Sequence, residues 1–68
     1  MPWFLLANRI ATEQLVIVKC KDENDSYKTS YAGKLCDMHI ILAYTIIDVD
    51  VENIKCEGNK LVVFLGGE

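Results

Sequence analysis

The sequence predicts a small, mainly β domain: a single strongly bent antiparallel sheet or barrel of about five strands, with or without a short N-terminal helix. Three observations carry that expectation. Residues 49–65 spell a β-hairpin, because the apolar-rich runs VENIKCE and KLVVFL flank Gly58-Asn59. A Gly-first pair supplies the positive φ that a tight primed turn demands. Residues 15–20 (LVIVKC) are short, apolar and β-branched, as strands are. Finally, 68 residues with a hydrophobic fraction of 51% make one dense small domain, residues 1–68, with no linker or repeat to divide it.

Each element can be justified in turn. In residues 1–14, Pro2 suits the first turn of a helix, and Trp3, Leu6 and Ile10 share one helical face. A short helix is favoured there, although the apolar run from Trp3 to Leu6 would also suit a strand. In residues 15–20, Val16, Val18 and Cys20 point one way while Leu15 and Ile17 point the other, so both faces of this strand need cover. Residues 21–26 (KDENDS) form a polar connection, and residues 27–35 a short strand, bulged or bent at Gly33. In residues 38–47, Leu35, Met38, Leu42 and Ile46 fall at helical spacing, but IILAYTII is β-branched and aromatic and lacks a helix stop, so a strand is expected. Residues 48–52 alternate, with Val49 and Val51 inward and Asp48, Asp50 and Glu52 outward. Ile54 and Cys56 have the opposite parity, so a bulge near Glu52-Asn53 must absorb the change of phase. Across the terminal hairpin, Glu57 then faces Lys60, Cys56 faces Leu61 and Ile54 faces Val63.

Composition narrows the function classes. The formal net charge of -3 disfavours general binding to nucleic acid or to an anionic membrane, both of which rest on basic patches. The longest apolar runs, such as residues 40–43, fall far short of the ~18–20 residues that span a bilayer. The apolar N-terminus lacks the basic flank of a signal peptide, so a soluble, cytoplasmic protein is expected. Cys20, Cys36 and Cys56 are an odd set with no C-x-x-C pair, which fits free thiols in a reducing compartment.

No motif for chemistry stands out. Cys20, Cys36, His39 and Cys56 are a legitimate zinc ligand set by type, but on one strand Cys36 and His39 would face opposite ways, and paired short spacing is missing. A cysteine nucleophile would need His39, the single histidine, beside it around a cleft. The acidic stretch Asp22-Glu23-Asn24-Asp25 opens like a calcium loop but has Tyr27 and Gly33 where glycine and glutamate are required. Neither catalysis, metal nor cofactor is expected. Tyr27, Lys28, Tyr31 and Lys34 interleave aromatics with positive charge, as surfaces for single-stranded nucleic acid do, and form a candidate nucleic-acid contact.

Several segments together resemble the Sm and LSm-like proteins. Tyr31-Ala32-Gly33-Lys34-Leu35 is similar to that family's Y-x-G-x-L strand start, Ile40-Ile41-Leu42 to its next apolar strand, and Cys56-Glu57-Gly58-Asn59-Lys60-Leu61-Val62 to its closing Arg-Gly-Asn segment. The family's Asp-x-x-Met-Asn signature is absent, with Asp37-Met38-His39 a compressed imitation, and Glu57 stands where the family has arginine. The resemblance implies a ring-forming small barrel. RNA binding is the reading it would add.

The expected function is non-catalytic binding of another macromolecule, as an adaptor, inhibitor or assembly subunit, with an Sm-like oligomeric RNA-binding module as the alternative. The partner is a protein or a second copy of the chain, with RNA less favoured and no membrane. The hairpin register places Val62 and Phe64 on the face away from Ile54 and Val63, and Leu15 and Ile17 pose the same problem on their strand. These four are the expected interface, helped by an open edge on the terminal strand. The rival expectation folds Trp3 and Leu6 over that face within one chain.

Overall fold

Along the chain run α1 (Trp3–Ala7), β1 (Leu15–Lys21), β2 (Tyr27–Lys34), a 3-10 turn (Leu35–Asp37), α2 (Ile40–Thr45), β3 (Val51–Glu57) and β4 (Lys60–Leu65). The computed structural model describes residues 1–66. The strands form one open sheet in the order β2-β1-β4-β3. The mainly β class holds, and of the two expected forms the structure is a sheet, not closed into a barrel. Two details of the expectation change: there are four strands rather than about five, and the sheet is mixed rather than antiparallel, since β1 and β4 pair in parallel at its centre.

Two hairpins and a crossover build this order. β1 and β2 join through a turn in which the Asp22 carboxylate accepts from the N–H groups of Asn24 (2.9 Å) and Ser26 (3.0 Å). Asp25 there takes φ 62, a conformation that aspartate tolerates better than most residues. β3 and β4 form the expected terminal hairpin, with Glu57 opposite Lys60, Cys56 opposite Leu61 and Ile54 opposite Val63. Gly58 sits at φ 63 in its turn, and the register slips between Val51 and Asn53, where the change of parity requires it. The bulge expected at Gly33 falls elsewhere. Register is regular at Val16–Gly33 and breaks between Val18–Tyr31 and Lys19–Thr29, so Ser30 is the extra residue. Gly33 has its own reason: at φ 150, a Cβ there would lie 3.0 Å from the Tyr31 hydroxyl.

β2 and β3 occupy opposite edges, so the chain between them must cross one face of the sheet. That crossing explains why residues 38–47 contain a helix and not the expected strand. Lying across a sheet, a segment must bury a stripe at period 3.6. Leu35, Met38, Leu42 and Ile46 are that stripe, and all four pack on the core. The helix starts with His39 as N-cap, its Nδ1 accepting from the Ile41 N–H (3.1 Å). β-propensity, a preference for pleated and half-buried surfaces, loses to packing here.

The core lies between the sheet and this crossing. Trp3 (2% exposed), Val16, Val18, Ile46, Val63 and Leu65 form it, with Cys20, Tyr31, Val51 and Leu61 packed alongside. The chain start is pinned as an extra rung: Trp3 N–H donates to the Val49 carbonyl (2.8 Å) and Val51 N–H to the Met1 carbonyl (2.7 Å). Val49 and Val51 face the core side as expected. Ile54 and Cys56 have the correct parity but are exposed, because β3 is an edge strand with little above it.

Candidate interaction surfaces

Alternation along β1 and β4 divides the sheet into a covered and an open face. Val16, Val18, Leu61, Val63 and Leu65 belong to the core, so Leu15, Ile17, Val62 and Phe64 point the other way. Register makes neighbours of them: Ile17 lies beside Val62, Leu15 beside Lys60 and Lys19 beside Phe64. The structure therefore brings all four expected interface residues into one patch rather than two. The rival cover is ruled out, because Trp3 and Leu6 pack with the core on the opposite face. The terminal strand is not an edge; β4 is central, and the unpaired edges belong to β2 and β3.

Charge surrounds this patch in an ordered way. Reading across β2, β1, β4 and β3, successive rows are Lys34–Leu15–Lys60–Glu57, Ala32–Ile17–Val62–Lys55 and Thr29–Lys19–Phe64–Asn53. Tyr27 and Lys21 form a fourth, incomplete row. Val62 is only 2% exposed although no helix covers it, because its neighbours on four sides shield it. Lys55 Nζ lies 5.5 Å from the Phe64 ring centre, and Tyr27 meets Phe64 edge-on at 5.0 Å. Lys21 stands over the Tyr27 ring at 5.7 Å and pairs with Glu52 at 3.4 Å, while the Tyr27 hydroxyl donates to the Glu52 carboxylate. That hydrogen bond, first, and Lys21, second, hold the Glu52 carboxyl below its ordinary pKa; the same contacts raise Lys21 and Tyr27.

All six lysines lie in strands, and five of them (Lys19, Lys21, Lys34, Lys55 and Lys60) are on the open face with two glutamates. The other seven acids of the described residues lie outside the strands. A chain with net charge -3 thus presents a sheet face with a balance of +3. The candidate nucleic-acid set, by contrast, is split. Tyr27 and Lys34 reach the open face, whereas Tyr31 packs on the core with its hydroxyl donating to the Lys34 carbonyl. Lys28 is level with Cys20 and pairs with Asp22 at 3.7 Å. Alternation alone would separate the tyrosines from the lysines; the Ser30 bulge, by reversing parity midway along β2, instead puts Tyr27 with Lys34 and Tyr31 with Lys28.

A second surface was missed by sequence reasoning. On α2, Ile40 is 74%, Ile41 68% and Tyr44 74% exposed, and they line a groove with Thr45. Met1, Phe4, Leu5 and Ile47 are also exposed, and Phe4 N–H donates to the Ile47 carbonyl, which joins α1 to the end of α2. Seven of the nine large exposed apolar side chains therefore lie on this helical layer. Neither helix carries a charge. The signal was legible: once Leu35, Met38, Leu42 and Ile46 are read as the buried stripe, Ile40, Ile41 and Tyr44 are off it.

The three thiols are dispersed through the fold. Cys20 is the penultimate residue of β1, Cys36 lies in the 3-10 turn and Cys56 is the penultimate residue of β3; no cluster of three metal-ligating side chains occurs among the described residues. No helix among them is long and apolar enough to cross a membrane. What the fold and surfaces define is a four-stranded mixed sheet covered on one face, with an uncharged helical layer and a basic sheet face turned opposite ways. No protein-family profile, curated protein or solved structure matches the chain.

Proposed function

We propose that this protein is a non-catalytic cytoplasmic binding module, an adaptor, inhibitor or assembly subunit acting through protein–protein contacts. The observation that carries this reading is the helical layer. Ile40, Ile41 and Tyr44 stand at least two-thirds in water on a helix without a charge, and an apolar patch of that kind marks a contact surface. The one histidine supports a structural role, since His39 Nδ1 is engaged as a helix cap. The test compares proteins recovered from cells with tagged wild type and with Ile41→Asp/Tyr44→Asp as bait. A stoichiometric protein recovered by wild type and lost by the double variant supports the reading. Equal recovery by both, with folding verified by circular dichroism, overturns it.

An RNA-binding, Sm-like module is the second reading, and the lysine-rich sheet face with Tyr27 and Phe64 favours it. It is the weaker one, because Lys21 and Lys55 already cover the ring faces on which bases would stack.

A further inference from the structure

The two surfaces just described are complementary to each other. The helical layer is an apolar surface with Asp37 just before α2 and Asp48 and Asp50 after it, Asp50 lying 4.0 Å from the Met1 ammonium. The sheet face is an apolar centre of Leu15, Ile17, Val62 and Phe64 within five lysines. It also contains a hollow, lined by Leu15, Val16, Ile17, Ala32, Gly33 and Lys60, where Ala32 supplies only a methyl group above β2. One surface offers exposed apolar side chains and negative charge, the other an apolar centre and positive charge.

Both faces cannot be satisfied within one chain, because they lie on opposite sides of the same sheet. Symmetric pairing is unfavourable for each. Helical layer on helical layer would bring the flanking aspartates of two copies together, and sheet on sheet would oppose two sets of lysines. Placing the helical layer of one copy on the sheet face of the next pairs opposite charges and seats apolar groups in apolar surroundings. We infer that the partner is a second copy of this chain, bound head to tail, with α2 of one copy on the open sheet face of its neighbour. The inference rests on the binding-module reading and names its occupant. Ile40, Ile41 and Tyr44 form the centre of the contact, and Phe4, Leu5, Ile47 and Met1 extend it toward the ~800 Å² per partner of a standard interface. A head-to-tail contact leaves one free face at each end, so assemblies grow into rings or filaments.

The test is mixing. Ile41→Asp/Tyr44→Asp removes the apolar surface of α2, and Lys34→Glu/Lys60→Glu reverses charge at exposed positions on the sheet face. Light scattering from about 1 µM to 1 mM should show wild type forming a concentration-dependent series of species, dispersed by raised salt. Each double variant alone should be monomeric. Mixed one to one they should form a single dimer of twice 7.7 kDa, because each retains the face the other lost. A lysine variant that dimerises alone indicates symmetric helical packing and overturns the inference. So does a wild type monomeric throughout, or one whose sheet face instead captures a labelled single-stranded oligonucleotide. Should the α2 double variant fail to fold, Ile40→Asp, at the most exposed apolar position, replaces it. A monomeric wild type that still recovers a partner through α2 sinks this inference and leaves the binding-module reading standing; recovery of nothing removes both.

Discussion

Individual residues carry burdens that their exposure and backbone angles make explicit. Gly58 has nothing within 4 Å of a would-be Cβ, so its requirement is conformational: φ 63 is costly for a β-branched side chain. Gly58→Val should lose about 1 kcal/mol or more in urea unfolding without changing the slope, since the cost is strain in one turn. Trp3 is the opposite case, almost wholly buried and set where the first helix, the crossing and the sheet meet. Trp3→Ala should cost about 3–5 kcal/mol, against a total stability of about 3–10 kcal/mol for a chain this size. Thermal melting should find that variant largely unfolded at 37 °C.

At the scale of elements, α2 and the β1–β2 turn make the sharpest claims. If residues 40–45 are a helix laid on the sheet, Leu42 is inward and Ile41 outward. At concentrations where wild type is monomeric, Leu42→Asp should then abolish cooperative unfolding, while Ile41→Asp leaves stability within about 0.5 kcal/mol of wild type. Equal damage from both would restore the strand that β-propensity suggests. In the β1–β2 turn, the N–H groups of Ser26 and Asn24 hold the Asp22 carboxyl below its ordinary pKa, with Lys28 a lesser cause. A depressed carboxylate favours the folded state at neutral pH. Its contribution is complete above about pH 4 and is lost as pH falls through the lower folded value. Glu52 adds in the same direction through Tyr27 and Lys21. Acid titration of Asp22→Asn should therefore show a shallower loss of stability below about pH 4 than wild type. An unchanged acid limb would mean that the turn opens in solution.

At the scale of the molecule, sheet order sets a hierarchy of protection. β1 and β4 are hydrogen-bonded on both sides, whereas β2 has one free edge and so does β3 beyond Val51, whose N–H donates to the Met1 carbonyl. Native-state hydrogen exchange should be slowest at Val16, Val18, Val63 and Leu65, close to global unfolding, and faster along Tyr27–Lys34 and Val51–Glu57. The same order governs the thiols. Cys56 is level with Leu61 and Val16, so it lies four residues, about 13 Å, along the strand direction from Cys20 and two strands across from it. That exceeds the ~7 Å limit between Cα atoms for a disulfide. Oxidised protein should show no Cys20–Cys56 bridge by mass spectrometry unless it first unfolds.

What the chain alone determined is local. The terminal hairpin, its Gly58 turn, its register and its bulge near Glu52-Asn53 follow from residues within a few positions of each other, where turn chemistry and a period of two act directly. The pairing of both apolar faces on β1 was legible for the same reason, and so were the four apolar residues now found side by side. Tertiary structure decided which strands are neighbours and which face is covered. The parallel β1–β4 pair joins residues 45 apart in sequence, as at Leu15 and Lys60, and no local signal specifies it. Once that pair is central, the connection from β2 to β3 must cross the sheet, and the need to bury a single stripe turns IILAYTII into a helix. Its β-branched and aromatic residues then emerge on the outside, and five lysines scattered along the sequence converge on one face, because strand pairing is long-range while propensity and charge count are not.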